Sequence, residues 1–340
     1  MKINKLFNVL LFSLIFLLSC GKPNDPESIK PIEPEDKTGG YKIVKKLATA
    51  GYAQDVTKKD SLLYIAQGEG GMMIINIIDP ENPVAVSITT ENLQGYSYKI
   101  AIVDSIAYLA AGSNGVFVVD ISDPFAPFRL EVSSPYKPAR NFHIMGEYMF
   151  VAISENGLKI SDILYPSEPD PRGGIQTAGY AMGLTTTADS AYLMAACGEM
   201  GLSVFNISDF QEGYGDYPLV GTFDTPGYAE AVIISEEKSV AFLACGTAGL
   251  QIIDYSDTTN IHIAGAFDGG GYAKTLLLKN NKIFLTAELG GLQIIDVSDV
   301  TTPKLLGQVE TEKAMGLAMD NDYIYVADEV EGIIVVSIPK

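Results

Sequence analysis

Short apolar runs, each opened by a glycine and followed by polar turn residues, recur along most of the chain. Two of them are Gly249-Leu-Gln-Ile-Ile-Asp254 and Gly291-Leu-Gln-Ile-Ile-Asp296. Apolar runs of this length between turn signals are typical of buried strands. The glycines that open the runs are Gly71, Gly115, Gly157, Gly201, Gly249, Gly291 and Gly332, at spacings of 44, 42, 44, 48, 42 and 41 residues. This period predicts the blades of a β-propeller, here seven of them.

Three further strand-like segments surround the apolar run in a complete repeat unit. The innermost follows a Gly-Tyr-Ala start, as in residues 227–234, and the second is of the Ala-Tyr-Leu-Ala type. The third is the run itself, and the outermost alternates in polarity, as in residues 218–225. The seventh unit has no outermost segment, whereas one precedes the first unit at residues 42–49. We therefore expect an all-β, seven-bladed β-propeller of four-stranded blades, closed by the N-terminal strand completing the last blade.

The N-terminal residues indicate export. Lys2 and Lys5 precede a mostly apolar stretch at residues 6–18, which is too short to span a bilayer and typical of a signal peptide. The sequence Leu17-Leu-Ser-Cys20-Gly21 resembles the lipobox of bacterial lipoproteins, which implies that Cys20 carries a lipid. We expect a signal peptide at 1–19, an acylated cysteine and a Pro-rich acidic tether at 20–40, and the propeller at 41–340. The expected location is the outer membrane of a Gram-negative bacterium, periplasmic or surface-exposed, with membrane attachment through Cys20.

Charge and cysteine usage narrow the function. There are 42 acidic and 23 basic residues, a net charge of −19, which argues against nucleic acid as a partner. Cys197 and Cys245 occupy equivalent positions in neighbouring units. Such positions usually lie further apart than the ~7 Å between Cα atoms that a disulfide spans. We therefore expect buried free thiols, with a disulfide as the alternative.

The run Gly-Leu-x-Ile-Ile-Asp-x-Ser-Asp, clearest at residues 249–257 and 291–299, resembles the LVIVD repeat of bacterial cell-surface propeller lipoproteins. The resemblance implies a propeller over residues 41–340 and says little about function. The third and seventh units depart from the pattern, with Tyr165 in place of the second turn aspartate and Ser337 in place of the first.

One face of the propeller gathers the starts of the innermost strands. A single position there is predicted to hold tyrosine in six units and lysine in the seventh. These residues are Tyr52, Tyr96, Tyr136, Tyr180, Tyr228, Tyr272 and Lys313. Just inside them lie Gln54, Asp55, Tyr98, Lys99, Arg140, Met182, Glu230, Lys274 and Met315. Tyrosines offer flat surfaces for stacking and hydrogen bonding, so the tyrosines with Lys313, Arg140, Glu230 and Lys274 are the candidate ligand contacts. The alternative is that each tyrosine packs against the next blade.

Metal and catalytic sites are weakly indicated. Loops on the same face carry carboxylates, and the Asp-x-Ser-Asp turns lie on the opposite face. The loop carboxylates are Glu69, Glu155, Glu199, Glu288 and Glu329. Calcium, which takes six to eight oxygen ligands, is the alternative to solvated charge at the loops and to local backbone bonds at the turns. The two histidines, His143 and His262, fall in different units, and no nucleophile elbow or phosphate loop is found. No catalytic residue, cofactor or metal is predicted.

The leading prediction for function is a non-enzymatic cell-envelope binding or scaffold lipoprotein. It presents the tyrosine-bearing face to a glycan, peptide or protein partner. One alternative is a polysaccharide hydrolase or lyase that uses paired carboxylates at the channel mouth. The other is a purely structural spacer.

Overall fold

The computed structural model describes residues 36–91, 93, 95–130 and 136–340. Within these ranges the chain forms seven antiparallel sheets of four strands and no helix, which confirms the predicted propeller. The compact unit spans Lys37–Lys340 and begins four residues before Tyr41, the first residue of the predicted propeller. The predicted signal peptide, Cys20 and most of the predicted tether lie outside the described residues. In the part described, no helix is long and apolar enough to cross a membrane.

Each blade has an innermost and a second strand that form a hairpin. The innermost strands are β2 (Asp55–Lys59), β6 (Lys99–Val103), β10 (Asn141–Met145), β14 (Gly183–Thr186), β18 (Ala231–Ser235), β22 (Thr275–Lys279) and β26 (Ala314–Met319). The second strands are β3 (Leu62–Ala66), β7 (Ile106–Ala110), β11 (Tyr148–Ala152), β15 (Tyr192–Ala196), β19 (Val240–Ala244), β23 (Lys282–Thr286) and β27 (Tyr323–Asp328).

The third and outermost strands complete each sheet. The third strands are β4 (Met72–Asn76), β8 (Val116–Asp120), β12 (Leu158–Asp162), β16 (Leu202–Asn206), β20 (Leu250–Asp254), β24 (Leu292–Asp296) and β28 (Gly332–Ser337). The outermost strands are β5 (Val84–Thr89), β9 (Phe128–Arg129), β13 (Asp170–Ile175), β17 (Leu219–Phe223), β21 (His262–Phe267), β25 (Lys304–Val309) and β1 (Lys42–Leu47).

The hydrophobic core lies between neighbouring blades. Between the first and last blades, for example, Leu63 and Ile65 of β3 pack with Tyr325 and Val335 of the seventh blade. The second and third strands are covered by a blade on each side, so their side chains are apolar in both directions. This burial explains the continuous apolar runs, and the alternating outermost strands have one side in water.

The recurring glycine that opens the third strand is required by the backbone. At Gly249 φ is +70°, in the left-handed region that L-residues rarely adopt. A Cβ atom there would also lie 2.4 Å from the Phe267 carbonyl oxygen on the outermost strand of the same blade. The glycine therefore serves the turn and the close approach of the outermost strand.

Both ends of the described chain meet in the seventh blade. Strand β1 pairs antiparallel with β28, and Leu47 stands opposite Ile333. The preceding Tyr41 is only 3% exposed and contacts the ring of Phe284 edge-on, with 6.3 Å between centroids. This pairing confirms the predicted closure by the N-terminal strand.

The fourth blade carries a long turn between its third and outermost strands, at residues 207–218. Phe210 in this turn stacks on Tyr217 at 5.7 Å and contacts Tyr148 of the third blade edge-on at 4.7 Å. The turn accounts for the longest spacing, 48 residues, in the series of repeat glycines.

The two cysteines are buried free thiols, as the sequence predicts. The Cys197 thiol lies 3.4 Å from Ser203 Oγ, and the Cys245 thiol lies 3.6 Å from Thr225 Oγ1. Burial raises the pKa of both thiols, that of Cys245 to about 11.

Candidate functional site

A cavity of about 610 Å³ occupies the centre of the ring, between the innermost strands. Its mouth is formed mainly by polar and aromatic side chains, with two methionines, at the starts of these strands and in adjacent loops. They are Gln54, Asp55, Tyr96, Tyr98, Lys99, Arg140, Met182, Glu230, Lys274, Lys313, Met315 and Glu329. Further along the strands the wall becomes mostly apolar, with Phe142, His143, Leu184, Thr185, Ile233, Leu277 and Leu317. The cavity is therefore polar at its mouth and apolar inside.

The predicted tyrosines do not all contribute to this wall. Tyr96 lines the cavity, whereas Tyr52, Tyr180, Tyr228 and Tyr272 lie outside the lining. The residues predicted just inside them, from Gln54 to Met315, do line it. The second position after the tyrosine therefore lies in the wall of the cavity, whereas most of the tyrosines lie outside it.

A packing role explains most of the tyrosine positions. The rings of Tyr96, Tyr228 and Tyr272 lie over a glycine in the loop of the preceding blade. A Cβ atom on Gly198, for example, would lie 2.8 Å from the ring of Tyr228. The loop of the third blade has Ser154 at this position, and the following Tyr180 is 51% exposed. The tyrosine thus packs against a neighbouring blade wherever glycine leaves room, and Tyr52 and Tyr180 remain more open.

Tyr136 is a correction to the predicted ring. The predicted tyrosine comes just before a residue whose backbone pairs with the loop of the preceding blade, as Tyr228 comes before Ala229. In the third blade the pairing residue is Ala139, and the residue before it is Pro138. Tyr136 lies two residues earlier and is 4% exposed, in the apolar cluster between the second and third blades with Phe142. The reason is a local shift in the spacing of the third unit, which puts proline where the other five units have tyrosine. The prediction that Tyr136 belongs to the exposed ring is wrong.

Three lysines at the mouth pair with three carboxylates. Lys99 Nζ lies 3.0 Å from Asp55 Oδ1, and Lys274 Nζ lies 3.0 Å from Glu230 Oε1. In the seventh blade Lys313 Nζ lies 2.7 Å from Glu329 Oε2. Each contact thus places a cation directly beside a carboxylate at the mouth.

Asp55 and Glu230 also connect neighbouring blades. Asp55 is 2% exposed and accepts a second hydrogen bond from the Ile100 N–H at 3.0 Å. Burial raises the pKa of Asp55, and Lys99 and this N–H oppose the rise. Glu230 accepts a hydrogen bond from the Tyr272 hydroxyl at 3.0 Å. Burial, and then the charge of Glu230, raises the pKa of Tyr272.

Arg140 stands in a different environment. Its guanidinium lies over the ring of Tyr98, 4.6 Å from the centroid, and its Nε donates to Ser154 Oγ at 3.3 Å. Tyr98 in turn contacts Tyr96, with 4.9 Å between ring centroids. The contacts with Tyr98 and Ser154 hold the guanidinium at the mouth.

His143 lies deeper in the wall, on β10. Its Nε2 is 2.9 Å from Thr186 Oγ1, and burial lowers its pKa to about 4. The ring is therefore neutral in the folded protein at neutral pH. Sequence reasoning noted His143 only as an isolated histidine on a strand, because its burial depends on the neighbouring blade.

The low pKa of His143 predicts a pH-dependent stability. An unfolded histidine has a pKa of about 6.5, so the unfolded state binds more protons than the folded state between about pH 6.5 and pH 4. The stability that the folded state gains from a neutral His143 is therefore complete above pH 6.5 and is lost as the pH falls through this window. We expect a loss of about 2 kcal/mol between pH 7 and pH 4.5, discounted for the partial exposure of the ring.

Urea unfolding of the His143→Gln variant over this pH range checks the prediction, since the variant should lose less stability than the wild type. The matched control is His262→Gln, which alters the exposed histidine of the outer strand β21. Equal pH dependence in the wild type and the His143→Gln variant would contradict the assignment.

The other predicted carboxylates do not form a metal centre. Within the described ranges, no group of three or more His, Cys, Asp or Glu side chains is arranged to hold a metal ion. At the turns, Asp254 Oδ1 accepts the Ser256 N–H at 2.8 Å and its hydroxyl at 2.6 Å. Asp120 makes the same pair of bonds with Ser122. These turn carboxylates therefore bond their own backbone. Of the loop glutamates, Glu329 is the member that lines the cavity.

The family of the chain follows from its repeats. A model of the LVIVD repeat matches residues 50–90, 94–131, 138–176, 226–269, 270–311 and 312–338, together more than half of the chain. The chain belongs to the LVIVD-repeat family. The longest stretch between the matches, residues 177–225, contains the fourth blade of this LVIVD-repeat protein with its long turn. A search of the curated proteins found no match.

Solved structures show the same architecture at low sequence identity. The WD40 β-propeller domain of Doa1 has a TM-score of 0.71 and 10% identity, and the match covers 88% of this chain and 98% of that chain. A chain of a mitotic checkpoint complex has a TM-score of 0.66 and 13% identity, covering 94% and 98%. The computationally designed protein Ika8 has a TM-score of 0.63 and 9% identity, covering 87% and 99%. Identities this low show the fold alone. An LVIVD-repeat propeller fits a binding or scaffold role.

Proposed function

We propose that this LVIVD-repeat propeller is a non-enzymatic binding lipoprotein of a Gram-negative cell envelope. In this proposal a lipid on Cys20 attaches it to the outer membrane, and a saccharide enters the mouth of the central cavity. The observation that carries the proposal is the cavity itself, with its mouth of paired charges and aromatic rings. Its volume of about 610 Å³ lies within the range of about 300–1,000 Å³ typical of small-molecule sites.

The chemistry of the mouth matches sugar hydroxyls. A hydroxyl is both a donor and an acceptor of hydrogen bonds. The pairs Lys274–Glu230 and Lys313–Glu329 present a donor and an acceptor side by side, and both pairs are partly open to solvent. The adjacent rings of Tyr96 and Tyr98, tilted at 44° to each other, supply an aromatic surface for the apolar face of a sugar. This combination favours a saccharide over a purely apolar ligand.

The same contacts favour binding over hydrolysis. A hydrolase of the two-carboxylate type needs one carboxyl group that carries a proton and donates it to the leaving group. Glu230 Oε1 lies 3.0 Å from Lys274 Nζ and 3.0 Å from the Tyr272 hydroxyl, and Glu329 Oε2 lies 2.7 Å from Lys313 Nζ. Both carboxyl groups therefore already serve as hydrogen-bond acceptors within the wall of the cavity.

A thermal-shift screen of the full-length protein in detergent against neutral and acidic oligosaccharides tests this function. A ligand at 100 times its dissociation constant stabilises the folded state by about 2.7 kcal/mol. We expect at least one saccharide to raise the melting temperature, and Tyr96→Ala to remove the shift because Tyr96 lines the cavity.

The matched control is Tyr165→Ala, which removes an exposed tyrosine from the turn that follows β12, on the opposite face. Tyr180→Ala, at an exposed rim position, checks whether the ligand extends beyond the cavity. A saccharide shift that survives Tyr96→Ala would place the site elsewhere. Shifts produced only by peptides would contradict a saccharide ligand.

A further inference from the structure

The charges at the cavity mouth do not cancel. Among the described lining residues there are four cations, Lys99, Arg140, Lys274 and Lys313, and three carboxylates, Asp55, Glu230 and Glu329. Each carboxylate is within ion-pair distance of one of the lysines. This leaves one positive charge in excess, in a protein whose net charge is −19.

The excess charge is on Arg140. Among the described residues no carboxylate forms an ion pair with its guanidinium, whereas Arg172, in β13, pairs with both Asp162 and Asp170. The contacts that Arg140 makes are neutral: the Tyr98 ring on one face and Ser154 Oγ at Nε. A guanidinium has five N–H donors, and the bond to Ser154 uses one of them.

We propose that Arg140 binds the negatively charged group of an acidic sugar, a saccharide with one negative charge on the residue that enters the cavity. The proposal rests on the proposed function and specifies its ligand. The planar fork of an arginine matches a carboxylate through two parallel hydrogen bonds. Tyr98 and Ser154 hold this fork in place before the ligand arrives, which reduces the entropy lost on binding.

Charge balance points to a single negative charge. One anionic group neutralises Arg140 and leaves the three lysine–carboxylate pairs intact. A dianionic phosphate would add a second negative charge to a cavity that already contains Asp55, Glu230 and Glu329, with no unpaired lining cation left to balance it. The expected group is therefore the carboxylate of a uronic acid or the sulfate ester of a sugar, and the two are separated by experiment.

Isothermal titration calorimetry on the full-length protein in detergent tests the proposal with three probes of similar size. They are a trimer of galacturonic acid, a singly sulfated galactose trimer and a neutral galactose trimer. We expect at least one acidic trimer to bind about tenfold or more tighter than the neutral one. We expect Arg140→Gln to weaken that acidic ligand about 10- to 100-fold and the neutral trimer by a much smaller factor, because hydrogen bonds to charged groups are the stronger ones.

Two further variants make the result specific. Arg140→Lys keeps the charge without the planar fork, so an intermediate loss supports binding to a carboxylate through two bonds. The matched control is Arg129→Gln, which also removes a guanidinium stacked on an aromatic ring, here Phe117 at 4.3 Å, but on an outermost strand. It should leave all three affinities unchanged. Circular dichroism melting of each variant confirms that the loss is not one of folding.

The outcomes separate the inference from the proposed function. Equal binding of neutral and acidic trimers, unaffected by Arg140→Gln, would overturn the role of Arg140 and leave saccharide binding standing. Binding of none of the trimers, with tight binding of a peptide through its terminal carboxylate, would overturn both. A preference for the sulfated trimer over galacturonate would identify the sulfate ester as the group that Arg140 holds.

Discussion

Deletion of residues 37–47 from the full chain is expected to remove most of the stability of the propeller. Strand β1 supplies the outermost strand of the seventh blade, so the deletion leaves β28 with an unpaired edge. It also removes Tyr41, whose ring is buried against Phe284. Loss of one core aromatic residue alone costs about 3–5 kcal/mol. The expected total exceeds about 5 kcal/mol, out of the ~5–15 kcal/mol typical of a domain.

Urea unfolding followed by circular dichroism measures this effect. The matched control is a deletion of equal length at residues 24–34, which lie before the compact unit that starts at Lys37. A synthetic peptide of residues 37–49, added to the shortened chain, should restore part of the melting temperature because it supplies the missing strand in trans. An unchanged urea midpoint in the shortened chain would contradict the closing role of β1.

The substitution Lys99→Met is expected to cost about 3 kcal/mol of stability at pH 7. Asp55 is almost completely buried between the first and second blades, and Lys99 is its counter-ion. Breaking a buried pair by removing one partner leaves an uncompensated charge, which costs about 3–5 kcal/mol. The lower end applies because the side chain of Lys99 is 30% exposed and water screens part of the interaction.

The Asp55–Lys99 interaction is isolated by a double variant. Asp55→Asn in the Lys99→Met background removes the unpaired charge, so the double variant should be more stable than Lys99→Met alone. The matched control is Lys46→Met, which breaks the more exposed contact with Glu331 and should cost at most about 1 kcal/mol. Chemical unfolding at pH 7 measures all four proteins. A Lys99→Met cost no larger than that of Lys46→Met would show that Asp55 is solvated despite its position.

The Lys99→Met prediction and the two binding predictions concern the same central ring of residues. The pairs Asp55–Lys99 and Glu230–Lys274 join adjacent blades while their polar atoms line the cavity. A change at these pairs affects stability and binding together. Arg140 differs, because its charge has no carboxylate partner among the described residues. It is therefore the position at which ligand binding is best changed without loss of the fold.

The sequence by itself determined the fold class, the number of blades and the closure of the ring. These features follow from local signals that repeat: a glycine that must adopt a left-handed φ, an apolar run buried on both sides, and a polar turn. Repetition at a fixed period averages out the ambiguity of any single strand. The seventh unit has no outermost segment of its own, whereas residues 42–49 form an extra one before the first unit. The sequence therefore predicts that residues 42–49 close the ring, and the pairing of β1 with β28 confirms this.

The sequence also predicted many of the residues that line the central cavity, although it placed Tyr136 at the wrong position. Residues such as Arg140 and Lys274 line the cavity because they lie at the start of an innermost strand, one place after the residue that pairs with the loop of the preceding blade. Tyr136 was misplaced because the third unit shifts its spacing, and a repeat pattern does not reveal which residue takes the shared position when the spacing changes.

Only the tertiary structure decided which side chains face one another. The pairing of Lys313 with Glu329, the contact of Tyr228 with Gly198 and the stacking of Arg140 on Tyr98 each depend on a distance across loops or between blades. The same holds for His143, whose low pKa arises from burial against the fourth blade. Such contacts join residues 16 to 43 positions apart in the sequence. Their energies depend on burial and distance, which no local pattern of residues contains.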